Sequence, residues 1–245
     1  MRLFGLIGYP LGHSFSKPWF NAKFEREGLD AFYENYPITQ IEELNRLLEE
    51  NPALEGINVT IPYKESVIPF LHLKSEVVEE TGACNCIRIR NGKLEGFNTD
   101  VVGFEKSLLK SLAPHHSHAL VLGTGGASKA VQYVLRKLRI PFIVISRKAD
   151  PKFGILSYEQ LNDQLLQSAT LWINTTPLGM YPNVDSCPPL NYSVIGDRHY
   201  LYDLVYNPAE TLFLQKGKAQ GAVTENGHDM LVIQAEEGWK IWNQQ

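Results

Sequence analysis

The run Leu120–Leu122 followed by Gly123-Thr-Gly125-Gly126-Ala127-Ser128-Lys129 restricts this 245-residue chain more than any other segment. An apolar run, a glycine turn and then Ala130, Val131, Val134, Leu135 and Leu138 at helical spacing read as strand, turn and helix. Glycines in such a turn let the backbone approach a pyrophosphate, which rests on the positive end of the helix. Ser128 occupies the third glycine position of G-x-G-x-x-G, so the pattern is imperfect; a plain glycine turn shares the same local sequence. The next predicted strand ends at Ile145 and is followed by Ser146-Arg147-Lys148. An NAD-binding chain carries an acid there for the ribose 2′-hydroxyl. Arg147 and Lys148 would instead attract a 2′-phosphate, which points to NADP; otherwise they are two solvated charges.

Short apolar runs at Leu3–Ile7, Gly56–Thr60, Cys86–Ile89, Ala119–Leu122, Ile143–Ile145, Leu171–Asn174 and Leu201–Val205 predict the strands. Between them, Ile41–Glu50 places Ile41, Leu44, Leu47 and Leu48 on one helical face. The alternation predicts an α/β protein with parallel sheet, of one large or two small domains. Lys110–His118 reads as a solvated connector into a second α/β unit, since its three histidines have no acid or Cys at ligand spacing; no metal is expected. The proline-rich stretch Thr176–Tyr192 reads as a lid or binding loop.

Composition narrows the function. With 23 Lys+Arg against 27 Asp+Glu, the net charge of −4 argues against bulk capture of nucleic acid or an anionic membrane. No apolar run approaches the ~20 residues of a spanning helix. The N-terminus meets Gly and Pro too early for a signal peptide. Three cysteines fit a reducing compartment, and a cytoplasmic protein is expected. In Cys84-Asn85-Cys86, strand alternation predicts both thiols on one buried face.

The first hundred residues are rich in polar side chains at predicted strand ends. Ser14 and Ser16, in Gly8-Tyr-Pro10-Leu-Gly12-His13-Ser14-Phe-Ser16, can donate together to a carboxylate or can cap the helix beginning near Lys17–Pro18; local physics favours the cap. In Asn58-Val-Thr60-Ile-Pro62-Tyr-Lys64, Pro62 suits a helix first turn. Lys64 would then feel the positive dipole end, lowering its pKa toward acid–base use; the alternative is an ordinary solvated lysine. Asn98-Thr-Asp100 can serve as a helix start.

Taken in order, these segments resemble shikimate dehydrogenases: G-x-P-x-x-H-S-x-S, N-V-T-x-P-x-K, G-A-x-N, N-T-D, G-x-G-G-A-S, I-N-T-T-P-x-G-M (Ile173–Met180), Tyr202-Asp203-Leu-Val-Tyr206-Asn-Pro208 and Gly227-His-Asp-Met230-Leu231-Val-Ile-Gln234. The resemblance spans essentially the whole chain. It implies two domains with an active-site cleft between them: residues 1–102 with 228–245 for substrate, and a Rossmann-like NADP domain over 103–227. It further implies reduction of 3-dehydroshikimate to shikimate with NADPH, for chorismate and aromatic amino-acid biosynthesis, by a monomer or homodimer. Carried over by position, Ser14 and Ser16 would hold the substrate carboxylate. Thr60, Asn85, Asp100 and Gln234 would bind ring hydroxyls, with Tyr206 closing the pocket. Lys64 and Asp100 would be the catalytic pair. Gly123, Gly125, Gly126, Ala127 and Ser128 would receive the pyrophosphate, with Ser146, Arg147 and Lys148 at the adenosine end. Thr175, Gly227 and Met230 would lie near the nicotinamide. Two alternatives are a relative that also oxidises quinate with NAD or NADP, and a non-catalytic sensor of the acid or the dinucleotide. The chain departs from the family in having Ser146-Arg147-Lys148 for the usual Asn-Arg-Thr or Asn-Arg-Ser. The short Ala149–Ile155, holding Pro151 and Gly154, also leaves little room for the helix usual there. The closing helix is expected from about Asp229 to Trp242.

Overall fold

The computed structural model describes residues 1–12 and 14–244; His13 of the first motif lies outside them. The chain divides into two compact units, Met1–Thr99 with Ala235–Gln245, and Asp100–Gln234.

The first unit contains β1 (Arg2–Gly8), α1 (Ser16–Arg26), β2 (Ala31–Pro37), α2 (Glu43–Glu50), β3 (Leu54–Val59), β4 (Leu73–Lys74), α3 (Glu76–Thr81), β5 (Cys86–Arg90) and β6 (Lys93–Phe97). Its sheet runs β2-β1-β3-β5-β6-β4. The sheet is mixed rather than parallel, because β5 pairs antiparallel with both β3 and β6. Only Asn91 and Gly92 join β5 to β6, both at positive φ (49° and 71°). A two-residue connection of that kind can only reverse the chain. Side-chain alternation along β1 feeds two cores. Phe4 and Leu6 pack with Phe20 and Phe24 of α1, and with Trp239, Ile241 and Trp242 from the last helix. Ile7 faces the other way, into a cluster with Leu44 and Leu47 of α2, Tyr63 and Val67. Cys84 belongs to this second cluster and Cys86 to the first, so the thiols do not share a face. Only Cys86 lies in the strand; Cys84 precedes it, where alternation has no hold.

The second unit contains α4 (Asp100–Leu108), β7 (Ala119–Leu122), α5 (Gly126–Lys137), β8 (Phe142–Ser146), β9 (Ile155–Ser157), α6 (Asp163–Ser168), β10 (Leu171–Asn174), β11 (Tyr200–Asp203), α7 (Leu212–Ala219) and β12 (Val223–Glu225). A last helix, α8 (His228–Asn243), belongs to this unit through Gln234 and to the first from Ala235. The sheet order is β12-β11-β10-β7-β8-β9, with every pairing parallel. Strand order therefore reverses between β7 and β10, the switch point at which doubly wound sheets bind ligands beyond their carboxyl ends. One face is packed around a fully buried Trp172, with Leu120, Leu122, Ile145, Leu201 and Phe213. After β8 a single 3₁₀ turn (Pro151–Phe153) leads into β9, and the short segment Ala149–Ile155 holds no α-helix. The connector before β7 is not wholly solvated: His115 and His118 are exposed, but His116 is buried. Its Nδ1 accepts the Ala113 N–H at 2.9 Å, turning the ring inward against Tyr200.

Candidate active site

At the switch point, Gly123 leaves β7 with φ +114°, and a Cβ there would lie 2.6 Å from Thr175 Oγ1. Glycine is required by both the backbone and the close approach. The Gly123 N–H donates to Ile145 at 2.8 Å, and its carbonyl accepts the Ser128 hydroxyl at 2.7 Å. Ser128 is fully buried, so its hydroxyl braces the turn from inside the helix. Gly125 is the N-cap of α5, and a Cβ there would meet nothing within 4 Å. No side chain caps that end. The first-turn N–H groups of a helix have no intrahelical acceptor, and the dipole there favours an anion. Gly126 and Ala127 supply two of them, so the turn fits a dinucleotide pyrophosphate.

Thr175, directly after β10, donates its N–H (2.9 Å) and hydroxyl (2.7 Å) to the Leu122 carbonyl, fastening the two sides of the switch point together. Ser146 ends β8 in register with Ser157 of β9. Arg147 and Lys148 follow, both exposed. Burial pushes the Tyr158 hydroxyl pKa up, and the Arg147 charge pulls it the other way. Asp150 and Ile155 exchange backbone hydrogen bonds at 2.9 and 3.0 Å, closing the loop beside these cations.

Sequence reasoning missed two residues at this end of the sheet. Asn174 ends β10 and Asp203 ends β11, paired in register and both fully buried. Asn174 Nδ2 donates to Asp203 Oδ1 at 2.9 Å; Val205 N–H donates to the same oxygen at 3.0 Å, and Thr211 Oγ1 to Oδ2 at 2.6 Å. Burial raises the carboxyl pKa to about 6, against the pull of these three donors. The available signal was a polar residue closing each of two adjacent apolar strands, LWIN and LYD.

In the first unit, register gathers the predicted substrate residues at one sheet end. Ile7 is level with Val59, Asn58 with Cys86, and Cys86 with Phe97. The segments after β1, β3 and β6, and the one before β5, therefore emerge together. Ser14 has a buried hydroxyl oxygen with no hydrogen-bond partner among the described residues. The capping reading of Ser14 and Ser16 fails: the N-cap of α1 is Phe15, with helical backbone (φ −65°, ψ −37°) and no side-chain cap bond. Ser16 opens the helix and hydrogen-bonds the buried Tyr33 hydroxyl, whose pKa burial holds well above the usual value. Tyr33 in turn donates to Asn58 Oδ1 at 2.8 Å.

Thr60 N–H donates to the Ile7 carbonyl at 2.9 Å, and a Cβ at Gly8 would lie 2.5 Å from the Thr60 methyl. No helix starts at Pro62: residues 61–67 form successive turns before a 3₁₀ segment at Ile68–Phe70. The aligned peptide dipoles expected to act on Lys64 are absent. Position there comes instead from the backbone, since Cys84 N–H donates to the Lys64 carbonyl at 2.7 Å. Asn85 is buried; its Oδ1 accepts Thr99 N–H at 2.7 Å and its Nδ2 reaches Thr99 Oγ1 at 3.0 Å. Asp100, the next residue along the chain, is buried and opens α4.

Tyr206 follows β11, its hydroxyl pKa raised by burial. Gly227 passes so close to Leu204 that a Cβ would lie 2.1 Å from its carbonyl oxygen. On α8, buried Met230 and Gln234 pack against Gly103 of α4, where a Cβ would come within 2.6 Å of the Met230 carbonyl. Gln234 Nε2 donates to the Leu231 carbonyl at 2.9 Å. Among the described residues no three metal-ligating side chains cluster, and no helix is long and apolar enough to cross a membrane.

Comparison with known proteins bears on the whole chain. The family model described as "Shikimate dehydrogenase substrate binding domain" matches residues 6–87. A protein of Aquifex aeolicus named shikimate dehydrogenase (NADP(+)) is 38% identical over 252 residues, covering 99% of this chain and 91% of that one. A crystal structure of a shikimate dehydrogenase in complex with NADP+ superposes with a TM-score of 0.89 at 30% identity, covering 99% of this chain and 90% of that one. The Thermus thermophilus shikimate 5-dehydrogenase, solved with NADP(H) and shikimate, gives 0.88 at 31% identity, covering 99% and 94%.

Proposed function

This chain belongs to the shikimate dehydrogenase family, and from that premise we propose how its residues carry out the family's reaction, the reversible NADP-dependent reduction of 3-dehydroshikimate to shikimate. The full-length likeness to the Aquifex aeolicus protein carries the reading. Residues 1–102 with 228–245 take the substrate and residues 103–227 the cofactor, in a cytoplasmic monomer or homodimer that needs no nucleic acid.

The bound cofactor supplies the hydride. Gly123, Gly125, Gly126 and Ala127 receive its pyrophosphate on the α5 N-terminus, with Ser128 holding the turn in shape. Ser146, Arg147 and Lys148 take the adenosine end, the two cations meeting the 2′-phosphate. Thr175, Gly227 and Met230 border the nicotinamide.

On the substrate side, Ser14 and Ser16 donate to the carboxylate; the buried Ser14 hydroxyl, without a partner among the described residues, supports this. Thr60, Asn85, Asp100 and Gln234 match the ring hydroxyls, and Tyr206 closes over them. Reduction of the ketone leaves negative charge on its oxygen, which Lys64 meets by donating a proton; in oxidation Lys64 accepts it back. Asp100 orients the ammonium and accepts the neighbouring hydroxyl. Each polar group left unmatched by a wrong substrate would cost about 1–3 kcal/mol, which sets specificity.

The test is absorbance of reduced nicotinamide after adding shikimate and NADP+ to the purified protein, with Lys64→Ala alongside. The expected result is growth in the wild type, and at least a thousandfold loss of kcat in the variant while calorimetry finds shikimate still bound. Undiminished turnover by Lys64→Ala would remove the lysine from the mechanism.

A further inference from the structure

We propose that Asp203 is a positioning residue for the reactive end of the cofactor, acting through Asn174 on the loop that follows β10. The inference rests on reading the β7–β10 switch point as the dinucleotide site. A chain of contacts leads from the carboxylate to that point. Asp203 Oδ1 accepts Asn174 Nδ2 at 2.9 Å. The opposite end of the same amide, Asn174 Oδ1, accepts the Thr176 N–H at 3.0 Å and the Thr176 hydroxyl at 2.6 Å. Thr176 Oγ1 in turn receives Leu178 N–H at 3.3 Å. Thr175 and Thr176 close on Gly123: a Cβ on that glycine would lie 2.6 Å from Thr175 Oγ1 and 3.1 Å from Thr176 Cγ2. The arrangement thus crosses the sheet from β11 through β10 to the turn after β7.

The carboxylate's chemistry makes this chain directional. An ionised Asp only accepts hydrogen bonds, whereas an Asn side chain offers a donor end and an acceptor end of nearly the same shape. Facing Asp203, Asn174 can present only its NH₂, so its carbonyl oxygen is compelled toward Thr176. Were the amide to turn over, two buried oxygens would oppose each other and both Thr176 bonds would be lost. Asp203 is fully buried and its partners in this network are neutral donors, an expensive way merely to fill space. What the charge yields is a single orientation of the Asn174 amide and, through it, a single course for residues 175–178 beside the cofactor.

The test compares Asp203→Ala and Asp203→Asn by steady-state kinetics with NADP+ and shikimate, with shikimate Kd and Tm measured in parallel. Asp203→Ala is expected to raise KM for NADP+ at least tenfold and to lower kcat, while shikimate Kd stays within twofold of the wild type. Asp203→Asn can keep an oxygen toward Asn174 and turn its NH₂ to the Thr211 hydroxyl, so it should recover most of the loss. Asn174→Ala combined with Asp203→Ala should be no worse than either alone. A lower Tm with KM for NADP+ unchanged would overturn the proposal, leaving Asp203 a packing residue. If Asp203→Ala does not fold, Thr176→Val removes one link without emptying the core and must raise the same KM. A wild type that neither binds nor uses NADP+ would instead overturn the reading of the switch point itself.

Discussion

A buried hydroxyl without a partner costs about 1–3 kcal/mol, and among the described residues the Ser14 hydroxyl has none. Removing it should help the fold and harm recognition at once. Ser14→Ala is expected to leave Tm unchanged or slightly higher while weakening shikimate binding at least fivefold, read by thermal melting and calorimetry. Equal weakening of NADP+ binding would deny Ser14 a role specific to the acid. This residue also shows what a sequence can and cannot disclose. Ser14 and Ser16 invite capping or anion binding with the same side chains, and the backbone of Phe15 rules out the cap. Lys64 was legible as a position in a motif, but the expected helix around it was not there to be read. Asp203 stood inside a motif without a role of its own because Asn174 pairs with it from another strand, which no local pattern contains.

Elements with strong apolar runs were the most readable: β7 and β10 have the expected bounds, and α5 buries Ala130, Val131, Val134 and Leu135 as its periodicity requires. The strands that escaped notice were β4, β9 and β12, too short to show alternation, β2, a mixed-polarity edge strand, and β6. Asn91-Gly92 was an available hairpin signal that fixes β6 and makes the first sheet mixed. The segment between α4 and β7 shows how one buried residue changes an element's behaviour. Burial, with the neighbouring His115 and His199, lowers the His116 pKa to about 4, so the folded state favours the neutral ring. The stabilisation this represents is complete above the unfolded value near 6.5 and is lost as pH falls from there toward 4. His116→Phe keeps a ring beside Tyr200 but cannot take up the proton. Relative to wild type, the variant should gain stability between pH 7 and pH 4.5 in urea denaturation; a difference independent of pH would show that His116 does not titrate in this window.

At the scale of the whole molecule, the division into two compact units makes stability a property of each unit as well as of the chain. A ligand present at a hundred times its Kd adds about 2.7 kcal/mol to whatever must unfold to release it. NADP+ is therefore expected to protect residues 103–227 more than residues 1–102 from amide exchange, and shikimate to do the reverse; equal protection of both spans by NADP+ alone would count against the division of labour proposed above. The four tryptophans provide a way to watch this directly. Trp19, Trp239 and Trp242 gather around the first unit's Phe4–Phe20 core, while Trp172 is fully buried in the second. Each half of the chain thus carries its own fluorophore. Replacing the first three by Phe leaves a single emitter whose spectrum follows the dinucleotide unit, and Trp172→Phe leaves emission from the other. A red shift with denaturant can then be assigned to one half at a time, without any label being attached.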